Sequence, residues 1–343
     1  TDMDNIRKLR EVLKTLPAFA KDYFRAIEPT TSTKTRISYA YDIRIFFQFL
    51  ISQNPSLAKI GIPNLNVSVL DQLKPIDIEE YMEYLKLYDS PNDQTTITNG
   101  ERGLKRKISS LRSFYTYYYK RQAIETNPVQ LVDMPKIHDK AIIRLDAGET
   151  AALLDYIEHC GDTLTGQKRM YHEKTKDRDL AIVTLLLGTG IRVSECVGLD
   201  VEDVDFKNNG IKVTRKGGNE MVVYFGPEVE KALKKYLEVR ENITPLAGHE
   251  HALFYSTQRR RIGVQAIENL VKKYAREITT TKKITPHKLR STYGTALYQE
   301  TGDIYLVADV LGHKDVNTTK KHYAAIDDNR RRKAASAVKL REL

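Results

Sequence analysis

Only two cysteines, Cys160 and Cys196, occur in 343 residues. That is too few for a disulfide framework or a four-cysteine zinc site, and it suits a reducing cytoplasm. No apolar run approaches the roughly 20 residues of a membrane-spanning helix, so no membrane span is expected. No signal-peptide pattern opens the chain, and no internal repeat or low-complexity tract interrupts it. Acidic residues fall short of basic ones, 45 against 55, which leaves a formal charge of +10. That excess favours a polyanionic partner, nucleic acid ahead of an acidic membrane surface. This balance leads to the expectation of a soluble protein of the cytoplasm. The chain begins on Thr1 with Met3 as its first methionine, which leaves room for a trimmed start and a further N-terminal module.

Length predicts two domains, each large enough to bury a core. Apolar residues recur at helical spacing in "YAYDIRIFFQFL" (Tyr39 to Leu50), "IDIEEYMEYLKLY" (Ile76 to Tyr88) and "LKRKISSLRSFYTYYYK" (Leu104 to Lys120). No alternating strand pattern competes there, so residues 1–133 are expected to form a helical bundle. "NPSLAKIGIPNLNVS" (Asn54 to Ser68) and "SPNDQTTITNGERG" (Ser90 to Gly103) are expected as loops. Residues 134–145 carry few helical repeats and are expected to be the linker, with a new helix starting near Asp146. Residues 146–343 are again mainly helical, and "DRDLAIVTLLLGTG" (Asp177 to Gly190) is the most apolar helix, closed by glycines that suit a C-cap. "GIKVTRKGGNEMVVYFG" (Gly210 to Gly226) is the exception, two β-branched runs around Gly217-Gly218-Asn219 that signal a hairpin. The polar insert "GDTLTGQKRMYHEKTKD" (Gly161 to Asp177) is expected to be an exposed excursion without a chemical role.

Four places in the second domain carry chemistry: "GTGIRVSECVGL" around Arg192, Lys216 at the hairpin turn, "TPHKLRSTYGT" with His287 and Arg290, and "LGHKDVNTTKKHYA" with His313 and Tyr323. Each is weak alone, but in this order and spacing they resemble the tyrosine site-specific recombinases. The resemblance covers the second domain motif by motif and the helical first domain more loosely. It implies a mainly α protein with a small β-hairpin or sheet. Two domains would form a C-shaped clamp on duplex DNA, a helical core-binding domain opposite a mixed α/β catalytic domain.

The residue chemistry is consistent with that resemblance. A planar guanidinium can hold two non-bridging phosphate oxygens with charge-assisted bonds, a task that suits Arg192 and Arg290. The resemblance makes Tyr323 the nucleophile, although a phenol with a pKa of about 10 needs a base and a stabilised product. His287 lies three residues before Arg290, which on one helix sets a proton acceptor beside the clamp. His313 would donate to a phosphate oxygen, and Lys216 would protonate the departing 5′-hydroxyl. Glu195, one turn after Arg192, resembles the family's acidic residue that orients the site. The implied reaction forms a 3′-phosphotyrosyl link and passes through a Holliday junction, with four protomers on two DNA sites, needing neither ATP nor metal nor other cofactor.

A zinc site at His287, His313 and His322 fares badly, because no helical His-x-x-x-His or Cys-x-x-Cys pair exists and Lys288 and Arg290 would crowd a cation. His249 and His251 read as loop residues. In the first domain Lys34, Arg36, Arg44, Lys105, Arg106, Lys107 and Arg112, with Lys120 and Arg121, are expected to neutralise phosphates, and Lys288 adds to them in the second. Tyr115, Tyr117, Tyr118 and Tyr119 are expected to pack the helix rather than stack on bases. The tail carries an apolar strip, Ala334, Ala337, Val338 and Leu340, which the resemblance implies crosses to a neighbouring protomer. Among subfamilies the match is to a Xer-type recombinase acting as a single protein in chromosome dimer resolution. The alternative is an integrase of a phage or conjugative transposon. The set of chemical residues argues against an inactive DNA-binding protein, and a monomeric type IB topoisomerase would be separated by the lack of a concentration-dependent synapse.

Overall fold

The computed structural model describes residues 2–90, 95–138, 142–215 and 218–313, together with Val316 and Thr319. The chain divides into two units, Thr1–Asp139 and Lys140–Leu343. It is mainly helical, with small antiparallel sheets. No described helix is long and apolar enough to cross a membrane.

The first unit is built on the long helices Thr33–Gln53 and Glu101–Lys120, which pack against each other. Ser32 starts the first of these, its side chain accepting the Thr35 N–H at 3.3 Å, a capping bond that satisfies one of the helix's orphan donors. Between them lies an aromatic core in which Phe114 meets Tyr23 edge-on at 5.1 Å and Phe47 at 6.1 Å. Tyr115 and Tyr118 are buried in it, with their hydroxyls donating to the Leu70 and Phe19 carbonyls, while Tyr119 is exposed. Two expected loops contain short elements. Pro55–Ile60 is a helix capped by Asn54, and Thr96–Thr98 pairs with Leu87–Asp89 in a two-stranded ladder, which corrects the helical reading of Ile76 to Tyr88 at its end, since that helix is Pro75–Tyr84. Strands of three residues are too short to show an alternating pattern.

In the second unit a helix starts at Ala147, where Asp146 and Glu149 form a reciprocal capping box. The central helix is Gly166–Thr189, packed by Pro227–Glu241, Pro286–Thr301 and Ala147–His159. It corrects the expected excursion at 161–177, because residues 166–177 are the first half of that helix. His172 and Thr175 face inward despite the polar sequence. His172 lies 3.5 Å from Cys160 Sγ, and nearby the Tyr274 hydroxyl donates to Asp179 at 2.9 Å. The hairpin forms as Gly210–Thr214 against Glu220–Tyr224, with Val204–Asp205 added as a third strand on the other side of Gly210–Thr214.

Candidate active site

The site is built where two helix ends meet. Gly166–Thr189 stops on Gly190, whose left-handed backbone (φ 63°) turns the chain toward Arg192. A Cβ on Gly190 would stand 2.3 Å from Tyr293 Cδ1 and 2.9 Å from Leu311 Cδ2, so only glycine lets this turn lie against both neighbouring helices. The second end belongs to Ile304–Leu311, which stops on Gly312, also left-handed (φ 61°).

The last carbonyls of a helix lack intrahelical donors and carry the negative end of its dipole. Here three arginines from distant parts of the unit take four consecutive ones. Arg215 donates to Asp309 O at 3.3 Å and Val310 O at 2.7 Å, Arg290 to Leu311 O, and Arg192 to Gly312 O at 3.2 Å. The second terminal nitrogen of Arg290 donates to Gly190 O, so this buried side chain straps the two turns together. Arg192 is more open, its side chain 37% exposed.

Glu195 fixes Arg192 twice. One carboxylate oxygen accepts the Arg192 backbone N–H at 2.7 Å and the other accepts Nη1 at 2.7 Å, while the carboxylate itself is buried. Its spacing of three residues is that of a capping box, so one side chain both starts the helix Val193–Gly198 and aims a guanidinium. Burial pulls the Arg215 guanidinium below its usual pKa; Glu195 opposes that shift and neighbouring Arg192 adds to it.

His287 is exposed in the first turn of Pro286–Thr301, one turn before Arg290, with half-buried Lys288 beside it. His313 follows Gly312, its backbone N–H bonded to Ala308 O at 2.9 Å and its Nδ1 2.6 Å from the buried Thr319 hydroxyl, which fixes the ring. The structure thus brings Arg192, Glu195, Arg290 and His313 to one helix end, with His287 on the helix that carries Arg290. Lys216, Tyr323, His322 and the tail strip lie outside the described residues. On either side of Lys216, Arg215 N–H bonds Asn219 O at 2.8 Å and Gly218 N–H bonds Arg215 O at 3.0 Å. Sequence reasoning passed over Arg215 as a site residue. Its partners are main-chain carbonyls, which leave no mark in sequence, and only its place beside Lys216 could have flagged it.

The basic residues expected to face a DNA backbone divide. Lys34, Lys105, Arg106, Lys120 and Arg121 are exposed. Arg36 is instead buried on Glu28 at 2.9 Å, and Lys107 is buried with its ammonium on Asn99 at 2.9 Å. Arg112 spends one nitrogen on the Val129 and Val132 carbonyls, 3.0 Å from each. These three hold the unit together, a correction that follows from their internal partners. Arg44 is half-buried over the Tyr41 ring at 4.9 Å. Exposed His251 pairs with Glu202 at 2.7 Å, which raises its pKa, and His249 accepts the Arg261 N–H at 3.3 Å. Among the described residues no group of three or more His, Cys, Asp or Glu could hold a metal ion.

Residues 144–330 match the profile of the phage integrase family. The tyrosine recombinase XerC of Caldanaerobacter subterraneus subsp. tengcongensis is 32% identical over 339 aligned positions, covering 95% of this chain and 88% of its own. The tyrosine recombinase XerS of Lactococcus lactis subsp. cremoris is 30% identical over 351 positions, covering 96% and 97%. Among solved structures, the XerH site-specific recombinase in a post-cleavage complex with palindromic difH substrate shares the fold. Its TM-score is 0.64 at 19% identity, over 89% of this chain and 79% of that one.

Proposed function

The chain belongs to the phage integrase family and is a site-specific tyrosine recombinase, and from that premise we propose a Xer-type enzyme that resolves chromosome dimers by the following chemistry. Tyr323 attacks a phosphodiester of duplex DNA to give a 3′-phosphotyrosyl link. Arg192 and Arg290 take the charge that gathers on the non-bridging oxygens, where a donor already in place costs no reorganisation. His313 donates to the same phosphate, His287 accepts the phenol proton, and Lys216 delivers a proton to the leaving 5′-oxygen. The phosphate bond survives as the tyrosyl ester, so a partner strand's 5′-hydroxyl reverses the step without ATP. Four protomers on two DNA sites exchange strands in pairs through a Holliday junction. Coupling among them passes through the tail beyond Tyr323.

The observation that carries this reading is the gathering of Arg192, Arg215 and Arg290 on one helix end with His313 next to it. Three guanidinium groups held this close repel one another. A cluster of that kind is matched by a dianionic partner such as a phosphate approaching its pentavalent state.

The test is to map covalent protein–DNA adducts across the host chromosome. A Xer-type enzyme leaves adducts at one chromosomal locus with paired half-sites. Adducts confined to the ends of a mobile element would instead establish the integrase alternative.

A further inference from the structure

The first unit contains a carboxylate in an unexpected place. Asp42, on the helix Thr33–Gln53, is only 2% exposed, and the apolar side chains Ile43, Phe46 and Tyr81 crowd the same core. Its carboxylate accepts a hydrogen bond from Nη1 of Arg106, which stands on the partner helix Glu101–Lys120 with 47% of its side chain exposed. Burial raises the pKa of Asp42 even though Arg106, Lys107 and Ser110 all act to lower it. A buried ion pair of this sort is weak support for a fold, since an apolar side chain would fill the space without desolvating a charge. What the acid does accomplish is to hold an exposed guanidinium in one orientation.

That distinction separates two ways of meeting DNA. A phosphate contact needs only a positive charge on a flexible stem, and exposed Lys105 and Lys34 offer that. Reading a base needs a fork held at a fixed angle, because guanine presents two acceptors, O6 and N7, side by side in the major groove. Arg106 is anchored through one terminal nitrogen, which leaves the rest of the fork on the open side of the pair. Its helix also carries exposed Arg102 and Lys105 near the same end, and Arg102 stands in the first turn, where the helix dipole disfavours a cation.

We propose that Arg106 is a specificity-determining residue that reads a guanine in each half-site, and that buried Asp42 is the positioning residue that aims it. This rests on the recombinase reading above.

The experiment selects preferred sequences from a pool of duplexes randomised in sequence, using the full chain and the variants Arg106→Lys, Arg106→Ala and Asp42→Asn, with a thermal melt on each. The intact chain is expected to enrich guanine at one position of each half-site. Arg106→Lys keeps the charge but loses the fork, and Asp42→Asn loses the anchor. Both should flatten the preference at that position alone, by roughly 5- to 150-fold, the range of one bidentate contact. Should Asp42→Asn fail to fold, Arg106→Lys carries the test, since its side chain lies at the surface. Unchanged preferences in Arg106→Lys overturn the proposal. So does an Arg106→Ala variant that weakens every sequence alike and lowers the salt slope by about one, the signature of a phosphate contact. A chain that selects no guanine yet still forms covalent adducts overturns this inference alone, whereas a chain that forms no adduct removes the recombinase reading itself.

Discussion

Arg290 and Arg192 donate to adjacent main-chain carbonyls, Leu311 and Gly312, although the two arginines lie about a hundred residues apart in sequence. The candidate site is therefore organised by a helix end as much as by side-chain pairs. Anything that shifts that end moves every arginine bound to it.

Arg290→Lys tests this strapping role. A single ammonium lacks the planar fork that reaches Gly190 and Leu311 together, so one buried carbonyl loses its donor, a cost of about 1–3 kcal/mol. The expected outcome is a lower melting temperature together with a fall in DNA cleavage of roughly 10²-fold or more, the usual loss for one transition-state donor. Calorimetry and a single-turnover cleavage assay measure the two effects. A normal melt and normal cleavage would show that the fork is dispensable.

Gly312→Ala addresses the turn itself. The new Cβ would sit 1.7 Å from Arg215 Nη1, so Arg215 must leave the Asp309 and Val310 carbonyls, and the left-handed backbone adds a strain of about 1–2 kcal/mol. Gly312→Asn separates the two effects, because asparagine tolerates that backbone yet still carries a Cβ. Both variants should lose cleavage, and only the alanine variant should lose the full stability increment. Full activity in either would mean that Arg215 need not hold the helix end.

Much of this was legible in sequence, for reasons that differ from residue to residue. Glu195 could be placed beside Arg192 because the family resemblance implies an acidic residue one turn after that arginine, a spacing that a capping box shares. The hairpin at Gly210 to Gly226 showed through its β-branched runs. The first half of Gly166–Thr189 is hard to read in sequence because its core-facing positions are filled by polar residues, His172 beside the distant Tyr274 hydroxyl and Thr175 donating to the Tyr171 carbonyl one turn earlier. Arg36 and Lys107 read as surface residues because sequence does not reveal that exposed Glu28 and half-buried Asn99 stand where they draw these two side chains into the fold. Arg215 stayed hidden for the converse reason, since a carbonyl can belong to any residue.

His172 predicts a pH dependence of stability. Burial first, and then the charge of Lys273, holds its pKa below the usual 6.5. The folded chain therefore binds fewer protons at this site than the unfolded chain. The stability this contributes is present above 6.5, declines as the pH drops below that value, and is lost as it falls through the depressed folded pKa. Melting temperatures taken between pH 7 and pH 5 should fall less steeply for His172→Asn than for the intact chain. Parallel pH profiles would place the acid sensitivity elsewhere.

The central claim is that one tyrosine oxygen carries the DNA, and Tyr323→Phe tests it with the loss of a single atom. On a nicked duplex that traps the cleaved strand, the intact chain should form a covalent adduct that survives denaturation. Tyr323→Phe should bind the same duplex with similar affinity and form none. An adduct that persists in Tyr323→Phe would contradict the account.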